Sequence, residues 1–288
     1  FFAISAHHFL NCNFLQTFRS FNGALKVQKF ALLTAAGLYK LSGKNAEQIG
    51  IEYTNVTSAS WHANKDQCMM SYTANNSNEA VLVIAEIENE KSTLAHHFEQ
   101  PRFSSKYNQI AYLHWLTHDH AFIVSNHNET NSTSDYQCFL VKFAENFTTI
   151  ENVQLIPDIC LRERSISDDN KKALCFFSHY FEHWQLLNIC CSLSTYNFLL
   201  KKTRDDGHWK LVECEVETNK ICIGPNNDTF EDRYPMGAVI DYTLKETITT
   251  GFVKDYPPAP LILFITTDST MAVYSMVNKE DKNLYPSM

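Results

Sequence analysis

The stretch LILFITTDSTMAVYSMVN, at positions 261–278, sets the fold of this chain. Two apolar runs, rich in β-branched and aromatic residues, flank the short polar segment TTDST. Runs of this length and composition, bounded by turn residues, are typical of strands. The stretch therefore predicts a β-hairpin closed by small and acidic turn residues, and ALLTAAGLYKLS (31–42) has the same form.

Short apolar runs of this kind recur along the chain, separated by polar turn residues, and no long stretch sustains a helical period. The clearest are AVLVIAEI (80–87), QIAYLHWL (109–116), AFIVSN (121–126), CFLVKF (138–143), KALCFF (172–177), WQLLNICC (184–191), YNFLLKK (196–202), HWKLVECEV (208–216), GAVIDYTL (237–244), PLILFITT (260–267) and MAVYSMV (271–277). Their lengths fit strands better than helices, so we predict an all-β protein.

Three longer segments share one pattern, in which a strand ends near an aromatic residue, a polar turn follows, and a second strand begins. They are 57–74, 110–127 and 173–191. Trp61 and Trp115 lie roughly 54 residues apart, a spacing that suits a four-stranded propeller blade with long loops. We predict one β-propeller domain over residues 1–288, of a type without Trp-Asp repeats, and a length of 288 residues holds five to seven blades.

Composition excludes some classes of function. The formal net charge is −8, which argues against nonspecific binding to nucleic acid, because that binding needs a surplus of Lys and Arg. No apolar run approaches the ~20 residues that span a bilayer, so we expect no membrane partner. The first residues, FFAISAHHFL, lack an initiating Met and a basic segment, so they do not resemble a signal peptide, and we expect a trimmed domain.

The nine cysteines do not form a metal or disulfide pattern. Their number is odd, no pair has the Cys-x-x-Cys spacing, and most lie inside apolar runs, which favours free buried thiols in a reducing compartment. They are Cys12, Cys68, Cys138, Cys160, Cys175, Cys190, Cys191, Cys214 and Cys222.

The segment HWLTHDH (114–120) concentrates three histidines and an aspartate in seven residues. In strand spacing His114 and His118 need not face the same side, and no second ligand cluster accompanies them, whereas zinc needs three or four ligands in fixed geometry. We interpret HWL as the end of one strand, THDH as a turn, and AFIVSN as the next strand, with no metal bound.

Sequence signatures of catalysis are also absent: the chain has no Gly-x-Ser-x-Gly, no Walker A loop and no dinucleotide fingerprint. We therefore expect neither enzymatic activity nor a cofactor. The four tryptophans are predicted to fill the core between blades. They are Trp61, Trp115, Trp184 and Trp209.

Three segments carry a family resemblance: YPMGAVIDYT (234–243), PPAPLILFITTDSTMAVYSMVN (257–278) and YFEHWQLLNICCSLSTYNFLLKK (180–202). They resemble the CAN-type nucleoporins of the cytoplasmic face of the nuclear pore. The resemblance covers about two-thirds of the chain; it is looser over 57–145 and poor before residue 50. Two features depart from it: Asp268 is followed by Ser269 where the family usually has Asp-Gly, and the chain is shorter than the family's propeller, through shorter loops or missing early-blade segments.

The resemblance implies a seven-bladed propeller that binds other proteins. In that family the propeller docks the DEAD-box RNA helicase of mRNA export, and basic residues contact an acidic surface of the helicase in competition with RNA. Other nucleoporins of the cytoplasmic-face subcomplex are contacted through regions outside this chain. The implied location is the cytoplasmic face of the nuclear pore, with no direct contact to nucleic acid.

The resemblance also points to particular residues. Lys202 stands where the family has a basic residue after the Ser-Thr strand, and Lys201 and Arg204 flank it. Arg162 and Arg164, in CLRERS, are the next candidates for partner binding. The alternative interpretation of KKTRDD (201–206) is a solvated turn whose charges pair with one another at little gain in stability.

A different class of function also fits part of the sequence, namely a secreted, glycosylated propeller enzyme or lectin. Its support is a set of six Asn-x-Ser/Thr triplets, at Asn55, Asn75, Asn128, Asn131, Asn146 and Asn227. That interpretation predicts disulfides and a glycan mass, whereas the nucleoporin interpretation predicts free thiols and no glycan.

Overall fold

The computed structural model divides the chain into two compact units, Phe1–Pro157 and Asp158–Met288. It describes residues 13–18, 29–34, 37–42, 45–49, 56–62, 65, 67–73, 80–88, 91–98, 107–127, 136–145, 147, 149–156, 159, 175–192, 194–203, 207–212, 221–244, 246–250 and 254–277. The described residues form strands joined by turns, with no α-helix and one 3₁₀ turn at Glu182–Trp184. The all-β prediction is confirmed.

The described residues of the first unit form three antiparallel sheets, each a meander of four consecutive strands. The first sheet consists of β1 (Asn13–Phe18), β2 (Lys29–Thr34), β3 (Gly37–Ser42) and β4 (Asn45–Ile49). The second consists of β5 (Val56–Trp61), β6 (Gln67–Thr73), β7 (Ala80–Glu88) and β8 (Lys91–Phe98). The third consists of β9 (Tyr107–Trp115), β10 (His120–His127), β11 (Tyr136–Phe143) and β12 (Ile150–Ile156).

Where the structure describes it, the second unit forms one further four-stranded meander, a three-stranded sheet and a short hairpin. The fourth sheet consists of β13 (Phe176–Phe181), β14 (Leu186–Cys191), β15 (Phe198–Lys202) and β16 (Trp209–Leu211). The fifth has the order β17 (Pro235–Asp241), β20 (Leu261–Thr266), β21 (Met271–Ser275). The hairpin consists of β18 (Ile248–Thr250) and β19 (Lys254–Tyr256).

A four-stranded antiparallel meander is the blade unit of β-propellers. The three repeated segments predicted from sequence coincide with β5–β6, β9–β10 and β13–β14, the first hairpin of three successive meanders. The propeller-type fold class is therefore confirmed. The number of blades and the single-domain organisation stay predictions.

The core of the first unit lies between the second and third sheets. Strands β6 and β7 contribute aliphatic residues that pack against the inner positions of β9, β10 and β11, and all are at most 5% exposed. The cluster consists of Met69, Leu82, Ile84, Ile110, Leu113, Trp115, Ala121, Ile123, Phe139, Val141, Phe143 and Phe147. Residues 81–85 of β7 and 121–124 of β10 are all buried, which explains why these two stretches are apolar at every position.

The core of the second unit lies between the fourth and fifth sheets. It consists of Phe181, Cys190, Ile221, Ile223, Ile262, Phe264 and Met276. Strand β20 is the central strand of its sheet, because it pairs with both β17 and β21. Its outward positions share a face with exposed Val239, Met271 and Val273, so that only one face of this sheet is fully packed.

The predicted tryptophan core is confirmed most clearly at Trp115, which is 1% exposed within the cluster between two sheets. Trp61 and Trp209 are also buried. Trp184 is only partly buried, because it belongs to the 3₁₀ turn after β13 and packs against the edge of the core, with its ring 5.7 Å from that of Phe181.

The turn between β20 and β21 contains a strained residue, Ser269, whose φ is +63°. A side chain disfavours this left-handed region, whereas glycine adopts it freely. Ser269→Gly should therefore raise the free energy of unfolding by about 0.5–1 kcal/mol, the relief of strain outweighing the added freedom of the unfolded chain. The measurement is the midpoint of urea unfolding.

Ser275→Gly is the matched control, because Ser275 is an exposed residue of the ordinary edge strand β21. Glycine inside a strand weakens it, so this control should lower stability by about 0.5–1 kcal/mol. A decrease in stability with Ser269→Gly would contradict the assigned backbone strain.

Candidate protein-docking surface

The histidine-rich segment forms the turn between β9 and β10, as predicted. His114 and His120 are buried inside the hairpin, and only His118 points outward, with its side chain 67% exposed. The Asp119 carboxylate lies 2.7 Å from His120 Nδ1 and accepts a 2.9 Å hydrogen bond from Thr117 Oγ1. Burial alone would raise the pKa of Asp119, but these hydrogen bonds outweigh it and lower that pKa. The side chains of Thr117, Asp119 and His120 thus interact with one another within the turn.

Histidines, cysteines and acidic residues do not assemble into a metal site in the described part of the chain, where no group of three or more could hold an ion. The six cysteines that are described are free thiols. Cys68, Cys138, Cys190 and Cys191 are buried, as the apolar runs around them predicted, and burial raises the pKa of Cys190. A thiol whose pKa is raised in this way is unreactive at neutral pH.

The predicted basic cluster begins at the end of β15. Lys201 is exposed, whereas Lys202 is partly buried, because successive strand residues point to opposite faces. Lys202 pairs with buried Trp209 across the β15–β16 hairpin, and its N–H donates to the Gln185 carbonyl oxygen at 3.1 Å. The other predicted binding residues, Arg204, Arg162 and Arg164, lie outside the described residues.

The hairpin register places a second lysine directly opposite Lys201. This residue is Lys210 on β16, and it is exposed on the same face. Like charges opposite one another on neighbouring strands destabilise a sheet. Lys201 and Lys210 together form an exposed basic strand end, the Lys201–Lys210 surface.

Lys210 was not among the residues predicted from sequence. Lys210 alternates with Trp209 along β16, and accordingly Trp209 is 3% exposed whereas Lys210 is exposed. Its pairing with Lys201 depends on how the chain crosses from β15 to β16. There Thr203 N–H and Oγ1 both donate to the His208 carbonyl oxygen, at 2.8 Å each.

A neighbouring turn lies beside this strand end. Residues Glu182 to Gln185 connect β13 to β14, and Gln185 has a φ of +50° with its N–H donating to the Glu182 carbonyl oxygen at 3.1 Å. Glu182 and His183 are exposed there. Because the Gln185 carbonyl oxygen accepts from Lys202, the turn is fixed to the end of β15. This end of the fourth sheet combines exposed charge with a constrained backbone, as a protein-docking surface requires.

Comparison with known proteins gives one partial relative. Residues of this chain are 30% identical to the human nuclear pore complex protein Nup214 over 104 residues, which is 36% of this chain and 5% of Nup214. The match thus spans a small fraction of that protein's length. It supports a relationship to a nucleoporin over the matched part of the chain. No family model matches.

Solved structures similar to this chain are distant. One is a crystal structure of a protein from Lactobacillus plantarum, with a TM-score of 0.36 at 10% identity, covering 92% of this chain and 82% of that one. Another is the endo-arabinase from Bacteroides thetaiotaomicron, with a TM-score of 0.45 at 10% identity, covering 93% of this chain and 95% of that one.

Among the described residues, no helix has the length and apolarity that crossing a bilayer requires.

Proposed function

We propose that this chain is a non-enzymatic docking domain of the nuclear pore, which binds the DEAD-box RNA helicase of mRNA export at the cytoplasmic face. The observation that carries the proposal is the pair of exposed lysines, Lys201 and Lys210, facing each other at the end of the fourth sheet. The partial similarity to Nup214 supports the nuclear pore as the location.

The charge distribution favours a partner with an acidic surface. The chain as a whole has a formal net charge of −8, so a local basic surface stands out against an acidic background. Such a surface attracts an acidic partner, raises the association rate and repels competitors of the wrong sign. Charged residues near the centre of an interface can each contribute about 2 kcal/mol or more to binding.

The proposed binding surface extends beyond the two lysines. As further contacts we propose Lys202, which follows Lys201 in sequence but faces the other side of β15, together with Arg204, Arg162 and Arg164. Arg can form planar bidentate contacts with carboxylates, whereas Lys acts as a point charge. We therefore expect the arginines to fix the orientation of the partner and the lysines to attract it.

The test is a binding titration of this chain against the purified export helicase, with and without single-stranded RNA. Lys201→Glu/Lys210→Glu should weaken binding at least about tenfold, because it replaces attraction by repulsion at the acidic partner. RNA should weaken binding of the unaltered chain, since the proposed contact competes with RNA. Binding should also weaken as salt is added.

A further variant, Lys210→Glu, should also weaken binding, and here a folding defect would not explain the loss. This change replaces a like-charge pair by an opposite-charge pair, so it should leave the sheet at least as stable as before. Lys65→Glu/Lys142→Glu, on other sheets, is the control with an equal change in net charge. If that control weakens binding as much as the Lys201/Lys210 variant, the surface is misassigned; if the unaltered chain does not bind at all, the helicase is not its partner.

A further inference from the structure

The loop before β17 exposes an aromatic side chain to solvent. Phe230 is 81% exposed, the most exposed large apolar side chain in the described part of the molecule. Its φ is +58°, a backbone conformation that a bulky residue rarely adopts. An aromatic ring left in water forgoes about 2 kcal/mol of burial free energy, which binding to an apolar surface would recover.

The conformation of this loop is fixed by its own hydrogen bonds. The Asn226 side-chain oxygen accepts from the N–H groups of Asp228 and Thr229, at 2.9 and 3.1 Å. The Asn226 N–H donates to the Glu231 carbonyl oxygen, and the Phe230 N–H donates to the Asn226 carbonyl oxygen, at 2.9 Å each. The ring is therefore presented by a closed loop, not by an extended chain.

The loop is also anchored to the fifth sheet. Asn226 Nδ2 donates to Asp268 Oδ2 at 2.8 Å, in the turn between β20 and β21. Arg233, at the other end of the loop, donates from Nε to the Gly224 carbonyl oxygen at 2.7 Å and from its guanidinium to Thr270 Oγ1 at 3.1 Å. Such pre-organisation reduces the entropy lost when a side chain becomes immobilised in an interface.

Negative charge surrounds the exposed ring. Asp228, Glu231 and Asp232 are all exposed and lie within two residues of Phe230. The nearest cation in sequence, Arg233, is partly buried and engaged with the sheet. A partner that buries this ring must therefore bring positive charge to the carboxylates around it. Nucleic acid does not fit, because its phosphates would be repelled.

We propose that Phe230 is the apolar anchor of a second docking surface, and that its occupant is a basic amphipathic segment of a partner protein. Apolar side chains of that segment enclose the ring, and its Lys or Arg residues pair with Asp228, Glu231 and Asp232. This surface has the opposite charge to the Lys201–Lys210 surface, so it selects a different partner, and it does not depend on the proposed helicase contact.

The test uses a defined probe, a fluorescent amphipathic peptide of leucine and lysine, titrated against the full chain by fluorescence anisotropy. Phe230→Ala should weaken binding about tenfold, through loss of the buried ring. Asp228→Asn/Glu231→Gln/Asp232→Asn should also weaken binding and reduce its dependence on salt. A matched peptide of leucine and glutamate should not bind.

Two controls distinguish binding at this surface from nonspecific binding of the peptide. Leu155→Ala removes another exposed apolar side chain, 44% exposed on β12, and should leave the affinity unchanged. Glu86→Gln/Glu145→Gln/Glu246→Gln removes three exposed carboxylates elsewhere and should have little effect. Circular dichroism should first show that Phe230→Ala is folded. The proposal would then be overturned if Phe230→Ala bound the peptide as tightly as the unaltered chain does. It would also be overturned if the leucine–lysine peptide did not bind the unaltered chain at all.

Discussion

Trp115→Ala should lower the free energy of unfolding by about 3–5 kcal/mol, the range expected when a large buried aromatic residue is removed from a core. Trp115 is 1% exposed and lies where the second and third sheets pack together. Its ring makes edge contacts with His62 and Phe147, with centroids 4.8 and 5.6 Å away. Truncation would leave a cavity that two rigid sheets cannot close.

Trp115 also marks a connection between the two sheets through the backbone. Its N–H donates to the buried Ser60 Oγ on β5 at 2.8 Å. This hydrogen bond survives in Trp115→Ala, because it uses the main chain, so the loss of stability measures the ring alone. Urea unfolding followed by circular dichroism avoids the change in tryptophan fluorescence that the substitution itself causes.

Leu155→Ala is the control for this experiment, because Leu155 is an exposed apolar residue and should contribute less than about 0.5 kcal/mol. A loss of less than about 1 kcal/mol for Trp115→Ala would mean that the two sheets do not share this core. An unchanged dependence of the unfolding free energy on urea concentration would show that the substitution acts on the folded state.

Acidification should destabilise the protein by about 2–3 kcal/mol between pH 6.5 and 4, through the buried His62. Burial, and then the nearby charges of Lys65 and His118, lower the pKa of His62 from 6.5 to about 4. Between these two pH values, His62 is mostly protonated in the unfolded chain but mostly neutral in the folded protein. The stability from neutral His62 is therefore complete above pH 6.5, falls as pH drops toward 4, and changes no further below that.

The measurement is the free energy of unfolding across this pH range, compared with His62→Asn. Asparagine cannot be protonated here, and its side-chain oxygen can replace His62 Nδ1, which accepts a 3.1 Å hydrogen bond from the Lys65 N–H. The variant should lose the slope between pH 6.5 and 4. The lowered pKa of Asp119 also makes stability fall with pH, but at more acidic values, since an ordinary aspartate titrates near 3.8. An unchanged slope in His62→Asn would assign the effect to another group.

The strands and their hairpins were predictable from sequence, because both depend on neighbours along the chain. Apolar runs and polar turns are local patterns, and they located most of the described strands to within a few residues. The more polar strands β1, β4, β8, β12, β18 and β19 were not predicted. The turn at His118 and Asp119 followed from the same reasoning, and the buried position of Trp209 was also predicted.

Pairing across the longer turns was decided only by the tertiary structure. The run KKTRDD indicated a basic strand end, but it did not reveal that Lys210 faces Lys201, because that register depends on the turn between β15 and β16. Trp184 was predicted in the core by its residue type, yet the 3₁₀ turn places it at the core edge.

Packing between segments far apart in sequence determined the surroundings of His62 and Phe230, and therefore the pKa of the first. His62 has a lowered pKa because the third sheet brings Trp115 against it, a contact that no local pattern contains. Phe230 is 81% exposed in a short loop that sequence alone gave no reason to single out, and this loop is anchored by the hydrogen bond from Asn226 to Asp268, 42 residues away. The sequence by itself determined which segments become strands, since backbone preference and alternation act locally. Only the folded chain determined which side chains meet or remain exposed, since those outcomes depend on long-range packing and register.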